Sequence, residues 1–76
     1  MNKSFRDKMN VNVFMERENK KIMVELDEFS SLKDLLNELK INPVTVIATR
    51  NDELIPENEK LKDYDEIKIM PVISGG

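Results

Sequence analysis

Leu32, Leu35, Leu36 and Leu39 recur at spacings of three and four residues, which lines them along one side of an α-helix. No other stretch repeats that pattern. The remaining apolar segments either alternate with a period of two or are β-branched runs, the signatures of strands. Whatever this chain folds into must therefore close its core with a single helix laid against a sheet. The limits of that helix are also written locally. Ser31 precedes the stripe and Asp34 follows three residues later, an arrangement that resembles a capping box, with Asp34 near the positive end of the helix dipole. Lys40 is expected in the last turn, and Pro43 pushes Asn42 toward an extended conformation and ends the element. A helix this short is marginal alone, so the leucine stripe has to find a sheet.

The strands follow from alternation. Met9, Val11, Val13 and Met15 fall on one side of a first strand, with Asn10, Asn12 and Phe14 on the other. Glu16 to Asn19 is a polar break suited to a hairpin loop. A second strand over Lys20–Leu26 then turns Ile22, Val24 and Leu26 inward and Lys21, Met23 and Glu25 outward. Val44–Thr49 is a β-branched run expected as a third strand, in which Val44, Val46 and Ala48 compete with Ile47 for the inside; the parity opposed to the core set puts Ile47 outward. Arg50-Asn51-Asp52-Glu53 is a turn, Leu54-Ile55 a short strand ended by Pro56, and Glu57–Lys62 has room for a 3₁₀ turn. The last strand covers Glu66–Val72, with Ile67 and Ile69 inward and Lys68 and Met70 outward.

The order β, β, α, β, short β, β predicts an α+β domain: a mixed four- to five-stranded sheet with one helix packed on one face. A helix leading from the second strand to the third raises the expectation of a parallel pair by crossover. Residues 1–8 have no periodicity and are expected as a flexible arm, 9–72 as the folded domain and 73–76 as a flexible tail.

Composition removes most chemistries. The chain has no cysteine and no histidine, so thiolate nucleophiles, disulfides and the usual neutral-pH base are excluded. A net charge of -3 with 36% charged residues argues against a nucleic-acid or acidic-membrane partner, and no apolar run approaches membrane-spanning length. A cytoplasmic setting is expected. Asp63, Asp65 and Glu66 cluster in a turn, where carboxylates form a solvated corner or loosely hold a cation; no catalytic residue and no resident metal or other bound cofactor is expected.

Two features remain. One helix covers one face, so the opposite face of a self-sufficient protein should be polar. Here it carries Phe14, Met23, Ile47 and Met70, a set rimmed by charge that reads as a protein-docking patch or as scattered surface hydrophobes. The outward strand residues then feed into Val72, Ile73, Ser74, Gly75 and Gly76. The chain's only two glycines stand there, where they can neither cap a helix nor turn a hairpin. Either the end is simply frayed, or two residues without side chains form a thin rod that carries the Gly76 carboxylate into a narrow active site of another protein. A carboxylate can be activated by attack on the α-phosphate of ATP, giving an acyl-adenylate open to a sulfur or amine nucleophile.

With the strand at Met9–Met15, the Ser30-Ser31-Leu32-x-x-Leu35-Leu36 helix start, Thr45-Val46-Ile47-Ala48, Leu54-Ile55-Pro56, Leu61–Ile67 and the Pro71–Gly76 ending, the chain resembles the β-grasp, ubiquitin-like sulfur-carrier proteins of the thiamine and molybdopterin pathways and their archaeal modifier relatives. The resemblance implies a protein co-substrate and not an enzyme. Its Gly76 carboxylate would be adenylated by an ATP-dependent activating (adenylyltransferase) enzyme and converted, with a sulfur donor protein, to a thiocarboxylate. The sulfur would then pass to thiazole through a thiazole synthase, to the molybdopterin precursor or to a tRNA base; the modifier relatives instead join the activated end to a target lysine. The partner would dock on the helix-free face and tail. The ending looks closest to the thiazole-pathway carriers, although the turn at Arg50–Glu53 lacks the glycine common in them, which implies a more strained or differently shaped turn.

Overall fold

The structure, a computed structural model, describes residues 8–72. Its elements are β1 (Lys8–Met15), β2 (Lys20–Asp27), α1 (Leu32–Glu38), a 3₁₀ turn (Pro43–Thr45), β3 (Val46–Arg50), β4 (Glu53–Ile55) and β5 (Glu66–Pro71). The strands form one mixed five-stranded sheet in the order β2-β1-β5-β3-β4, with α1 packed on one face, an α+β, ubiquitin-like β-grasp architecture. β1 takes in Lys8, which stands opposite Asp27 in the hairpin. The parallel pair joins β1 to β5, the first strand to the last. β2 and β3, the strands that the helix connects, are not neighbours.

The period-two reading places the core correctly. Met9, Val11, Val13, Val24 and Leu26 of the hairpin are buried with Leu32, Leu35 and Leu36 of α1, Ala48 of β3, Leu61, and Ile67 and Ile69 of β5. Burying a leucine or isoleucine side chain contributes about 1.5–3 kcal/mol. Val11, Val13 and Leu35 are fully enclosed, so the centre of the core is where hairpin and helix meet.

The helix ends show why so short an element persists. The Ser31–Asp34 capping box forms: the Asp34 N–H donates to Ser31 Oγ (3.3 Å) and the Ser31 N–H to Asp34 Oδ2 (2.9 Å). The other first-turn amides turn to the segment after β4, with the Leu32 N–H donating to the Glu59 carbonyl (2.9 Å) and the Lys33 N–H to that of Glu57 (2.8 Å). These are the groups a helix start otherwise leaves unsatisfied. At the far end the Ile41 N–H donates to the Leu36 carbonyl (2.8 Å) and the Lys40 N–H to that of Asn37 (3.0 Å), a Schellman motif. Lys40 therefore lies beyond the last helical turn, at φ 61°, where glycine is the usual occupant.

Two local expectations change. The 3₁₀ turn lies at Pro43–Thr45, where a strand start was expected. Asn42 Oδ1 accepts from the Val44 N–H (3.1 Å), the Asn42 carbonyl accepts from the Thr45 N–H (3.0 Å), and proline suits the first position of such a turn. Glu57–Lys62 instead contains a turn closed by the Glu59 N–H on the Pro56 carbonyl (3.0 Å), which presents the carbonyls used by α1.

Asn51 and Asp52, at φ 56° and 66°, form the two-residue connection between β3 and β4. Positive φ at both central residues is what a type I′ hairpin turn requires, and Asn and Asp tolerate it better than most residues with a Cβ. Asn19, Phe29, Lys40 and Tyr64 also have positive φ, so the described fold fills every such position without a glycine. We expect Lys40→Gly and Asp52→Gly each to raise the unfolding free energy by up to about 1 kcal/mol in urea titrations, and Leu35→Ala to lower it by about 3 kcal/mol.

Candidate partner-docking face

The strand register lays out the face opposite α1. Lys21, Phe14, Lys68, Thr49 and Leu54 pair successively across the five strands as a single row. Met23 stands opposite Asn12, and Met70 opposite Ile47. Met23 and Phe14 are thus diagonal neighbours on β2 and β1, Phe14 and Met70 are diagonal on β1 and β5, and Met70 meets Ile47 directly. Diagonal neighbours on adjoining strands lie within reach of long and aromatic side chains. The four outward hydrophobes form a diagonal stripe over β2, β1, β5 and β3. Met23 is 60% exposed and Ile47 42%, while Phe14 and Met70 are half-buried. Lys21, Lys68 and Glu66 flank the stripe, and with Asn12, Phe14 and Thr49 they line a shallow depression of about 390 Å³.

Sequence reasoning left out one member. Leu54, 68% exposed, sits opposite Thr49 on the same face and diagonal to Ile47, extending the stripe onto β4. The signal was available: a two-residue turn after Arg50 fixes the pairing of Leu54 with Thr49.

β5 lies between β1 and β3, so the chain leaves from the middle of the sheet. Beyond Pro71 the Val72 N–H donates to the Thr45 carbonyl (3.0 Å), and the Val72 side chain is 46% exposed two residues past Met70. Ile73, Ser74, Gly75 and Gly76, the remaining residues expected at the site, lie outside the described residues.

The carboxylates before β5 have structural partners. Asp63 Oδ1 accepts from the Asn10 N–H (2.8 Å), and Asp65 Oδ2 from the Lys62 N–H (2.8 Å) and from Arg50 (3.1 Å). Arg50 also donates to Glu59 and to the Lys60 carbonyl (3.2 Å). The bond to Glu59 raises the guanidinium pKa above its ordinary value; burial opposes the shift and Asp65 adds to it. Arg50 stays charged and clamps the segment after β4 and the approach to β5 onto the end of β3. Among the described residues no group of three or more acidic, His or Cys side chains is placed to hold a metal ion. Also among the described residues, no helix is long and apolar enough to cross a membrane.

The sequence model of the ThiS family matches residues 11–76, from the first strand through the final glycine. The chain belongs to the ThiS family. It is 36% identical over 53 residues to the sulfur carrier protein TtuB of Thermus thermophilus, an alignment spanning 70% of this chain and 82% of that protein. Its fold matches the ubiquitin of Caldiarchaeum subterraneum (TM-score 0.68, 14% identity, 92% of this chain and all of that one). It also matches SAMP1 of Haloferax volcanii (TM-score 0.64, 19% identity, with the same coverage). Membership in the ThiS family makes the chain a small carrier or modifier and not a catalyst, built on a ubiquitin-like fold. In this ThiS-family chain, Arg50→Ala should cost about 2 kcal/mol in thermal or urea unfolding, because it leaves the largely buried Asp65 carboxylate short of a partner. Arg50→Lys should recover only part of that loss.

Proposed function

We propose that this protein is a cytoplasmic sulfur carrier whose Gly76 carboxylate is activated by an ATP-dependent adenylyltransferase. The carboxylate attacks the α-phosphate of ATP and pyrophosphate leaves. Sulfide (HS⁻) delivered by a sulfur donor protein then attacks the acyl carbon and displaces AMP, and the product is a C-terminal thiocarboxylate. The observation that carries this reading is where the chain spends its glycines: six described positions have positive φ and are filled by Asn, Phe, Lys, Asp or Tyr, while both glycines stand at 75 and 76. A fold that tolerates Cβ atoms in its own left-handed turns, yet ends in two residues without them, is suited to an end recognised by its thinness. The family match through residue 76 and the likeness to a sulfur carrier support the same reading.

The activating enzyme docks on the diagonal stripe of Met23, Phe14, Met70, Ile47 and Leu54, with Val72, Ile73 and Ser74 leading from it to the reactive end. Methionines give such a surface adaptability, and the flanking lysines and Glu66 supply a polar rim. The tail's resemblance to thiazole-pathway carriers does not decide the acceptor. Family membership and a relative known as a sulfur carrier bear equally on transfer to the molybdopterin precursor or to a tRNA base, and they favour this broader role over a thiazole-specific one. A thiocarboxylate or adenylate at Gly76 would also be open to attack by a lysine of a target protein.

ATP–pyrophosphate exchange by the activating enzyme isolates the first step. Removal of Gly76 should abolish exchange while leaving the fold intact. Ile47→Asp and Leu54→Asp should each raise the KM for this protein about tenfold with kcat little changed, as expected when a docking contact is lost. Undiminished exchange without Gly76 would refute the tail assignment, and unchanged KM for both face variants would refute the docking assignment.

A further inference from the structure

The sheet has two edges, and they are built differently. β4 is short, Glu53–Ile55, and is stopped by Pro56. β2 runs over Lys20–Asp27 and pairs with β1 in unbroken register, with no proline, glycine or bulge. Among the described residues no strand pairs with its outer side. An edge of this kind is a template for another strand unless something covers it.

The backbone shows which residues face outward. In β1 the Asn12 N–H donates to the Asp65 carbonyl (2.8 Å), the Glu16 N–H to that of Ile69 (3.0 Å), and the Asn10 carbonyl accepts from the Tyr64 N–H (2.6 Å). Even-numbered residues there turn their amides and carbonyls toward the β5 side, so odd-numbered residues bond to β2. Given the pairings Met9 with Leu26, Val11 with Val24 and Val13 with Ile22, it is the even-numbered residues of β2 that bond to β1. Lys21, Met23 and Glu25 therefore offer their N–H and C=O groups to the open edge.

We infer that this edge is an interface between two copies of the chain, paired antiparallel through β2 about a two-fold axis at Met23. In that register Met23 meets its counterpart, and Lys21 of each copy meets Glu25 of the other. Each of these pairs exchanges both of its N–H···O bonds. Charge complementarity selects the partner and the register. A shift by one pairing step toward the strand start sets Lys21 against Met23, and one toward the strand end sets Met23 against Glu25. Lys21 and Glu25 make no ion pair among the described residues, whereas Asp27, the next acid, is already bridged to Lys8 (2.6 Å). On the other face, half-buried Ile22 falls opposite Val24 of the second copy. The pairing is isologous and closes after two subunits, leaving, among the described residues, only the short β4 strands as edges. It also joins the two diagonal stripes end to end at Met23. An edge-to-edge contact buries little area, so the dimer is weak and concentration-dependent.

Sedimentation velocity on the full chain over a concentration series tests this. The protein should shift from monomer to dimer as concentration rises. Lys21→Glu and Glu25→Lys should each weaken association about tenfold or more, because every dimer then holds two like-charged pairs. An equimolar mixture of those two variants should regain it, since in the mixed dimer both pairs again set an acid of one chain against a lysine of the other. Met23→Pro removes an edge donor without touching the β1–β2 ladder and should abolish association while the far-ultraviolet circular dichroism stays unchanged. A wild-type chain that is monomeric throughout, single variants that associate as strongly as the wild type, or a mixture that fails to recover association would each overturn the proposal. None of these readouts involves the activating enzyme, so they stand apart from the test of the tail.

Discussion

Among the described residues a single helix of seven residues closes the core of a five-stranded sheet, and the rest of the described structure is arranged to keep that helix in place. Alone it would be too short to persist in water. Its first amides are taken up by the Ser31 side chain and by the carbonyls of Glu57 and Glu59, and its last carbonyls by Lys40 and Ile41. The segment after β4 is held to the end of β3 by Arg50, so it can offer those carbonyls at a fixed distance. Helix, clamp and sheet depend on one another, which is how a chain of 76 residues with a small core can remain a cooperative unit.

The same economy determines what is left open. A helix that covers one face leaves the other to water, and on that face the register assembles hydrophobes from β2, β1, β5, β3 and β4 into one continuous stripe. β5 supplies Met70 to that stripe and then carries the chain out between its two neighbours toward the final glycines. Met70 of the proposed docking stripe and the exit of the chain toward residue 72 are therefore on the same strand, and pairing with β1 and β3 on either side of that strand fixes where it ends. The proposed function uses this combination: a rigid platform for recognition and a thin end for chemistry performed by the partner.

Much of this was legible in the sequence because it rests on periodicity. The 3.6-residue spacing of Leu32, Leu35 and Leu36 and the alternation in β1, β2 and β5 gave the core, and the outward positions of Phe14, Met23, Ile47 and Met70 followed by parity. What misled was local or long-range. Val44 and Thr45 have β-branched side chains, yet hydrogen bonds from Asn42 and the fixed φ of Pro43 hold them in a 3₁₀ turn. The parallel pair was expected from the helical crossover, but the parallel contact joins β1 and β5, which only the assembled sheet brings together. The Arg50 clamp depends on Glu59 and Asp65 arriving from a later segment, and no spacing rule reveals it. The acceptor in the proposed sulfur transfer is not legible in the tail, because each acceptor considered would meet the same Gly75-Gly76 end.

The most direct test is the intact mass of the protein after incubation with ATP and a sulfur source in an extract of its own cells, followed by fragmentation to locate any change. The expected product is heavier by the exchange of one oxygen for one sulfur, with the change confined to Gly76 and dependent on ATP. A chain that keeps an unmodified carboxylate at Gly76 under those conditions, while a known carrier added to the same extract is converted, would contradict the account.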